Sequence, residues 1–348
     1  MSNQKVKGWS RREFLGGLAL AGTAAMIGLR PGPGMAAVEP PPETKTLRLR
    51  YWDPACWAPF YLAEPLLREE GFTDIRYIAA PGPEVADMFK KGLVDLNPEF
   101  SVSGIFNAAT LGAPFKFLSG LHVGCYALIG SDRVRSLRDL KGKTVWAGPV
   151  ENNGPHLFFS AIVSYIGLDP RKDIKYVWVK KDEAIDLFQK NKIDAFISFP
   201  PGPQELMAKG IGRLILDTNV DKPWSQYFCC MVSGQSDFVK DNPIATKRSL
   251  RAILKAIDLV ARDPAMATRE LRARNIVKQK DEKYVLQTLK EIPYERWREY
   301  NPEDTIRFYA LRMRETGMLK ANPQQFIDQY ADWRFIRELK KEFGITAW

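Results

Sequence analysis

One stretch constrains this chain more than any other: VWAGPVENNGPHLFFS, from Val145 to Ser160. It reads as a strand, then a turn rich in Gly, Pro and Asn, then a helix start. Pro155 suits the first helical position, where its missing N–H would have gone unpaired in any case. Leu157, Phe158, Ala161, Ile162, Tyr165 and Ile166 then keep helical spacing, and Gly167 marks the stop. A helix N-terminus leaves backbone N–H groups without partners and carries partial positive charge. Placed at the carboxyl end of a strand, it makes a small-ligand site biased towards anions. An ordinary strand-to-helix connection is the alternative, and the rest of the chain has to decide.

The same unit recurs on both sides. Leu47, Leu49 and Tyr51 alternate with Arg48 and Arg50 in a first strand, which leaves through the loop Trp52 to Trp57. A helix from Pro59 to Gly71 follows, then a strand at Ile75 and Ile78, the exit loop Pro81-Gly82-Pro83-Glu84 and a helix from Val85 to Lys91. Asp95-Leu96 is a short third strand leaving through Asn97-Pro98-Glu99-Phe100-Ser101, with Ser101 a good N-cap for a helix ending near Gly112. Phe115 to Leu118 is a fourth strand. This alternation predicts a parallel sheet with helices on its faces, and the loops at the carboxyl ends of such strands are where open sheets bind ligands.

Gly120 to Ile129 is an extended run with glycines, read as a strand that leaves one lobe for another. A second alternation then places strands at Val145, Ile174 to Val179, Ile193 to Ser198 and Leu214 to Leu216. Helices to Gly167, from Glu183 to Lys190 and to Gly210 lie between them. Pro223 to Val232 reads as the strand that crosses back. From Asn242 the pattern is helical, and the stripes Ile253, Leu254, Ile257, Val260 and Ile306, Tyr309, Ala310, Met313 read as packing faces.

The formal charge is +10, of which the first 36 residues hold a net +4 through Lys5, Lys7, Arg11, Arg12 and Arg30 against Glu13. The remaining +6 is spread without long basic runs, which argues against a nucleic-acid partner. Ser10-Arg11-Arg12-Glu13-Phe14-Leu15 resembles a twin-arginine export motif; an apolar run to Leu29 follows, and Gly34-Met35-Ala36 offers a cleavage site after Ala36. Residues 1–36 are thus read as a signal peptide, and residues 37–45, with Pro40-Pro41-Pro42, as a disordered leader. The mature chain is expected in the periplasm. Four cysteines remain, Cys56, Cys125, Cys229 and Cys230. Export permits disulfides, but their pairing stays open. No C-x-x-C spacing exists, so no metal site is expected.

A lobe, a crossover, a second lobe and a return is the plan of periplasmic solute-binding proteins. At Ser136 to Val145, SLRDLKGKTV, the resemblance becomes specific. The chain resembles the nitrate/sulfonate/taurine branch of ABC-transporter substrate-binding proteins, which also includes thiamine-precursor binders. Ala58-Pro59-Phe60-Tyr61-Leu62-Ala63-Glu64, Gly92-Leu93-Val94-Asp95-Leu96, Gly167-Leu168-Asp169-Pro170, Asp194-Ala195-Phe196, Gly317-Met318-Leu319 and the helix around Asp332 carry it, over roughly residues 46 to 343.

The resemblance implies a type II periplasmic-binding-protein fold: two α/β lobes joined by two hinge strands, with the C-terminal helices packed on lobe 1. Lobe 1 would be 46–122 and 228–348, and lobe 2 would be 123–227. Ligand-binding residues would come from loops facing the cleft. In lobe 1 these are Trp52, Asp53, Trp57, Gly82, Pro83, Glu84, Glu99, Phe100 and Ser101; in lobe 2 they are Glu151, Asn152, Asn153, Gly154, His156, Phe199 and Pro200. His122 and Tyr227 would sit on the crossing strands. Packing is the alternative for Trp52 and Trp57, a helix-start role for His156, and solvated caps for Asp53, Glu84 and Glu99. Acidic residues at a cleft repel a bare anion, which favours a heteroaromatic, amine-bearing or zwitterionic ligand over nitrate or a simple sulfonate.

The function expected is capture without catalysis, as a monomer that delivers a small ligand to an ABC permease and its ATPase, with no cofactor. The chain has two histidines and no G-x-S-x-G, H-E-x-x-H or P-loop. The alternative is an enzyme like the thiamine-pyrimidine synthases, whose cysteine cluster Cys229-Cys230 loosely echoes.

Overall fold

The computed structural model describes residues 39–348 except 53–54, 80–84, 100–101 and 318, and except the side chains of 99, 102 and 103. The export motif, the cleavage site and the predicted site residues Asp53, Gly82, Pro83, Glu84, Phe100 and Ser101 lie outside the described residues.

Residues 41–348 form one compact unit built on two five-stranded sheets. The chain runs β1 (Thr46–Tyr51), α1 (Ala58–Leu62), α2 (Glu64–Glu69), β2 (Asp74–Ala79), α3 (Val85–Lys90), β3 (Leu96–Glu99), α4 (Val102–Thr110) and β4 (Phe115–Val123). It then enters the second sheet through β5 (Ala127–Gly130) and continues β6 (Thr144–Trp146), α5 (Gly154–Tyr165), β7 (Lys175–Tyr176), α6 (Lys181–Gln189), β8 (Ala195–Ser198), α7 (Gly202–Ala208) and β9 (Arg213–Asp217). It returns through β10 (Phe228–Gln235) and ends in α8 (Ser236–Asp241), α9 (Pro243–Arg262), α10 (Pro264–Ala273), α11 (Glu282–Glu291), α12 (Pro302–Glu315), α13 (Pro323–Tyr330) and α14 (Arg334–Glu342).

The first sheet has the order β2-β1-β3-β10-β4 and the second β7-β6-β8-β5-β9. Neither is wholly parallel, whereas the alternation alone predicted a parallel sheet. β10 runs antiparallel to β3 and β4, and β5 runs antiparallel to β8 and β9. The reason lies in the crossings: each crossing segment contributes the one reversed strand of the sheet it enters. The fourth strand and the outgoing crossing are also a single element, β4, followed by a break at Gly124 and Cys125. Gly124 has φ +68°, and a Cβ there would lie 2.6 Å from the Asn219 backbone, so only glycine fits the corner.

Other differences have local causes. The helix expected from Pro59 to Gly71 is two helices meeting at Ala63. Pro65 has no N–H to offer the Tyr61 carbonyl, which accepts from the Arg274 guanidinium at 2.9 Å instead. Asn97 and Pro98 belong to β3 rather than to its exit loop, paired with Ser233 and Val232 of β10. The strand expected over Ile174–Val179 shortens to two residues because its partner β6 offers few positions. Glu43, placed by sequence in the leader, accepts from the backbone N–H groups of Ile244 and Ala245 at 2.9 and 2.8 Å, so the chain is anchored before β1.

The apolar stripes of the C-terminal helices are buried as expected, and α9 packs on α1 and α2 of the first sheet's layer. The packing is broader than the first lobe alone: α12 also contacts α5, and α11 contacts α7. No helix among the described residues is long and apolar enough to cross a membrane.

Candidate functional site

A cavity of about 350 Å³ opens where strand ends of both sheets converge. β1 supplies Arg50 and Tyr51, with Trp52 directly after it. From the second sheet β6 supplies Trp146 and the turn Gly148-Pro149-Val150, and β8 supplies Ile197, Ser198 and then Phe199. Asn153 and Pro155 at the start of α5, and Lys181 at the start of α6, complete the wall. Every contribution comes from the carboxyl end of a strand or the amino end of a helix, as open α/β sheets require.

The turn is held tightly. Asn153 caps α5, its Oδ1 accepting from the His156 N–H at 2.9 Å. Gly148 has φ +110°, and a Cβ there would lie 2.1 Å from the Asn153 amide nitrogen. Glycine at 148 thus lets the cap sit against the end of β6.

Aromatic rings set the shape of the cavity. Trp52, from the first sheet, meets Phe199, from the second, with ring centroids 5.6 Å apart. Trp57 stands edge-on behind Trp52 at 5.9 Å. The buried Arg50 guanidinium lies 5.8 Å over Trp52 and 5.5 Å over Trp57, and donates to Asn97 Oδ1 at 3.2 Å. Lys181 faces the same space from an exposed helix start. The described lining therefore carries two cations and no carboxylate. Flat apolar walls with few polar groups suit a small organic ligand.

Of the residues the sequence singled out, Trp52, Asn153 and Phe199 line this cavity. Gly154 and Pro200 are buried beside it, one in the first turn of α5 and one after Phe199. Trp57 is fully buried as second-layer packing behind Trp52. Glu151 and Asn152 are exposed on the turn and line no part of it. His156 points into α5's own surroundings: its Nδ1 accepts from the Asn152 N–H at 3.0 Å, and its ring stands edge-on to Tyr176 and Trp178. Burial holds its pKa down at about 4, so it is neutral at pH 7. Tyr227 stacks on Phe308 at 4.0 Å in a separate surface hollow. His122 is fully buried among cysteines. Glu99 contributes backbone to β3, where it pairs with Met231.

Arg50, Tyr51, Trp146, Gly148, Pro149, Val150, Pro155, Lys181, Ile197 and Ser198 line the cavity without having been singled out. Half of them, Arg50, Tyr51, Trp146, Ile197 and Ser198, are the last residues of strands, so taking the strand ends themselves rather than only the loops would have found those five. Arg50 alternates with buried neighbours and reads as a solvent-facing position. Lys181 precedes the point where the apolar spacing of α6 becomes visible.

The NMT1-like family model matches residues 40–277, about two thirds of the chain. No curated protein sequence matches it. Among solved structures, the periplasmic nitrate-binding protein NrtA from Synechocystis PCC 6803 aligns at 15% identity, covering 87% of this chain and 90% of that one with a TM-score of 0.65. The periplasmic sulfonate-binding protein SsuA from Methylobacillus flagellatus KT aligns at 20% identity, over 86% and 95% with a TM-score of 0.64. The alkanesulfonate-binding protein SsuA from Xanthomonas axonopodis pv. citri, bound to MOPS, aligns at 19% identity, over 82% and 96% with a TM-score of 0.62. These likenesses give the fold, that of the periplasmic binding proteins. The match over residues 40–277 gives the kinship: the chain belongs to the NMT1-like family.

Proposed function

We propose that the protein is a solute-binding receptor that captures a small organic anion with a flat apolar body and hands it to an ABC permease without changing it chemically. The observation that carries this reading is the cavity itself. It takes one aromatic wall from each sheet, Trp52 and Phe199, and the cations Arg50 and Lys181. The nitrate- and sulfonate-binding proteins that share the fold make an anionic guest the natural class, and the aromatic lining selects an aryl carboxylate or aryl sulfonate over nitrate. Of the acidic residues that argued for an amine-bearing guest, Glu151 is exposed and lines no part of the cavity, while Asp53, Glu84 and the Glu99 side chain lie outside the described residues. Closure of one lobe on the other, export by the twin-arginine route and action as a monomer complete the proposal.

Titration calorimetry against aryl sulfonates, aryl carboxylates, alkyl sulfonates, nitrate and amines tests it. The aryl anions should bind one per chain. Lys181→Ala should weaken them about tenfold to 100-fold, the worth of a charge-assisted contact, and Phe199→Ala by at least about tenfold. If only amines bind, or if both variants bind like the wild type, the cavity is not an anion site.

A further inference from the structure

Four side chains that are far apart in sequence meet in the interior. Cys56 follows β1, His122 and Cys125 lie at the end of the outgoing crossing, and Cys230 lies on the returning strand β10. One ligand atom from each, three sulfurs and an imidazole nitrogen, lies within 4.8 Å of all the others, and all four residues are buried. Zinc bound at ~2.3 Å to sulfur and ~2.0 Å to nitrogen sets tetrahedral ligand atoms roughly 3.5–3.8 Å apart, so seating an ion asks the side chains to close by about 1 Å.

Two further observations point to a ligand. His122 Nδ1 sits 3.1 Å from the Val123 carbonyl, which can only accept, so Nδ1 carries the proton. That leaves Nε2 as the lone-pair nitrogen, and it is buried without a hydrogen-bond partner. A backbone carbonyl fixing the tautomer of a ligating imidazole is how zinc-bound histidines are oriented. Cys125, in turn, is held at φ +101°, a backbone region that side-chain-bearing residues rarely enter.

We propose that Cys56, His122, Cys125 and Cys230 bind one zinc ion in a closed structural site at the hinge. Three S–Zn bonds and one N–Zn bond form, and the three thiol protons leave to water. The ion ties both crossing strands to the loop that carries Trp52 and Trp57, so it braces the base of the cavity. Spacing along the chain hides the site because no two of its ligands are arranged as C-x-x-C. Cys229 is outside the set, with its sulfur 3.1 Å from that of Cys125, and a Cys125–Cys229 disulfide is the competing arrangement.

The test uses the whole protein, reduced and freed of metal, then titrated with zinc against a chromophoric chelator. One zinc per chain is expected, with a rise in melting temperature; cobalt in its place should give sulfur-to-cobalt charge-transfer absorption. Cys229→Ser should bind as the wild type does, whereas Cys230→Ser and His122→Ala should each weaken binding by at least about 100-fold, beyond the cost of an outer contact. The cobalt spectrum of the unaltered protein keeps the test open if those variants fail to fold. Absence of cobalt–thiolate absorption, sub-stoichiometric zinc, or a Cys125–Cys229 disulfide in protein purified without reductant would overturn the proposal.

Discussion

His156 shows how burial alone sets the chemistry of a residue. Its ring is nearly inaccessible, and its pKa is held down at about 4 by desolvation, against an ordinary value near 6.5. As pH falls the unfolded chain takes up this proton first, so the stability due to a neutral His156 is complete above pH 6.5 and is lost between 6.5 and 4. Melting temperature should fall across that window. His156→Gln, which keeps an acceptor for Asn152 but does not titrate, should flatten the slope. An unchanged slope would place the acid sensitivity elsewhere. The residue was visible in sequence as a helix-start side chain; that it faces Tyr176 and Trp178 rather than a guest was not, because a single histidine carries no periodicity.

At the scale of elements, the turn between β6 and α5 is the most exacting part of the site. Gly148→Ala forces a methyl into the Asn153 amide and a side chain into a positive-φ conformation, a cost of about 1–3 kcal/mol. The variant should melt a few degrees lower and bind the aryl anion more weakly, since the cap and the cavity wall move together. Normal binding with a lowered melting temperature would separate the turn from the site.

This turn was the most legible element in the chain, because Gly, Asn and Pro each have a specific backbone role there. The strands and the apolar helix stripes were legible for the same reason of periodicity. The directions of β5 and β10 were not, since local sequence carries no sign of which way a strand runs. Nor was the wall of the cavity fully legible. Arg50 and Lys181 read as solvated charges until two distant strand ends are brought together.

For the whole molecule, the cavity draws its walls from both sheets, so ligand and interlobe geometry are linked. A guest that pulls Lys181 and Arg50 together should narrow the scattering profile of the protein in solution. An unchanged radius of gyration at saturating aryl anion would mean a fixed cleft.

The position of β10 sets the order in which the molecule can be made. It lies between β3 and β4, and its Ser233 bonds Asn97 from 136 residues away. The second sheet, from β5 to β9, is fully synthesised before that strand emerges. On a ribosome the inserted half can therefore settle early, while the outer half waits for the strand that joins β3 to β4.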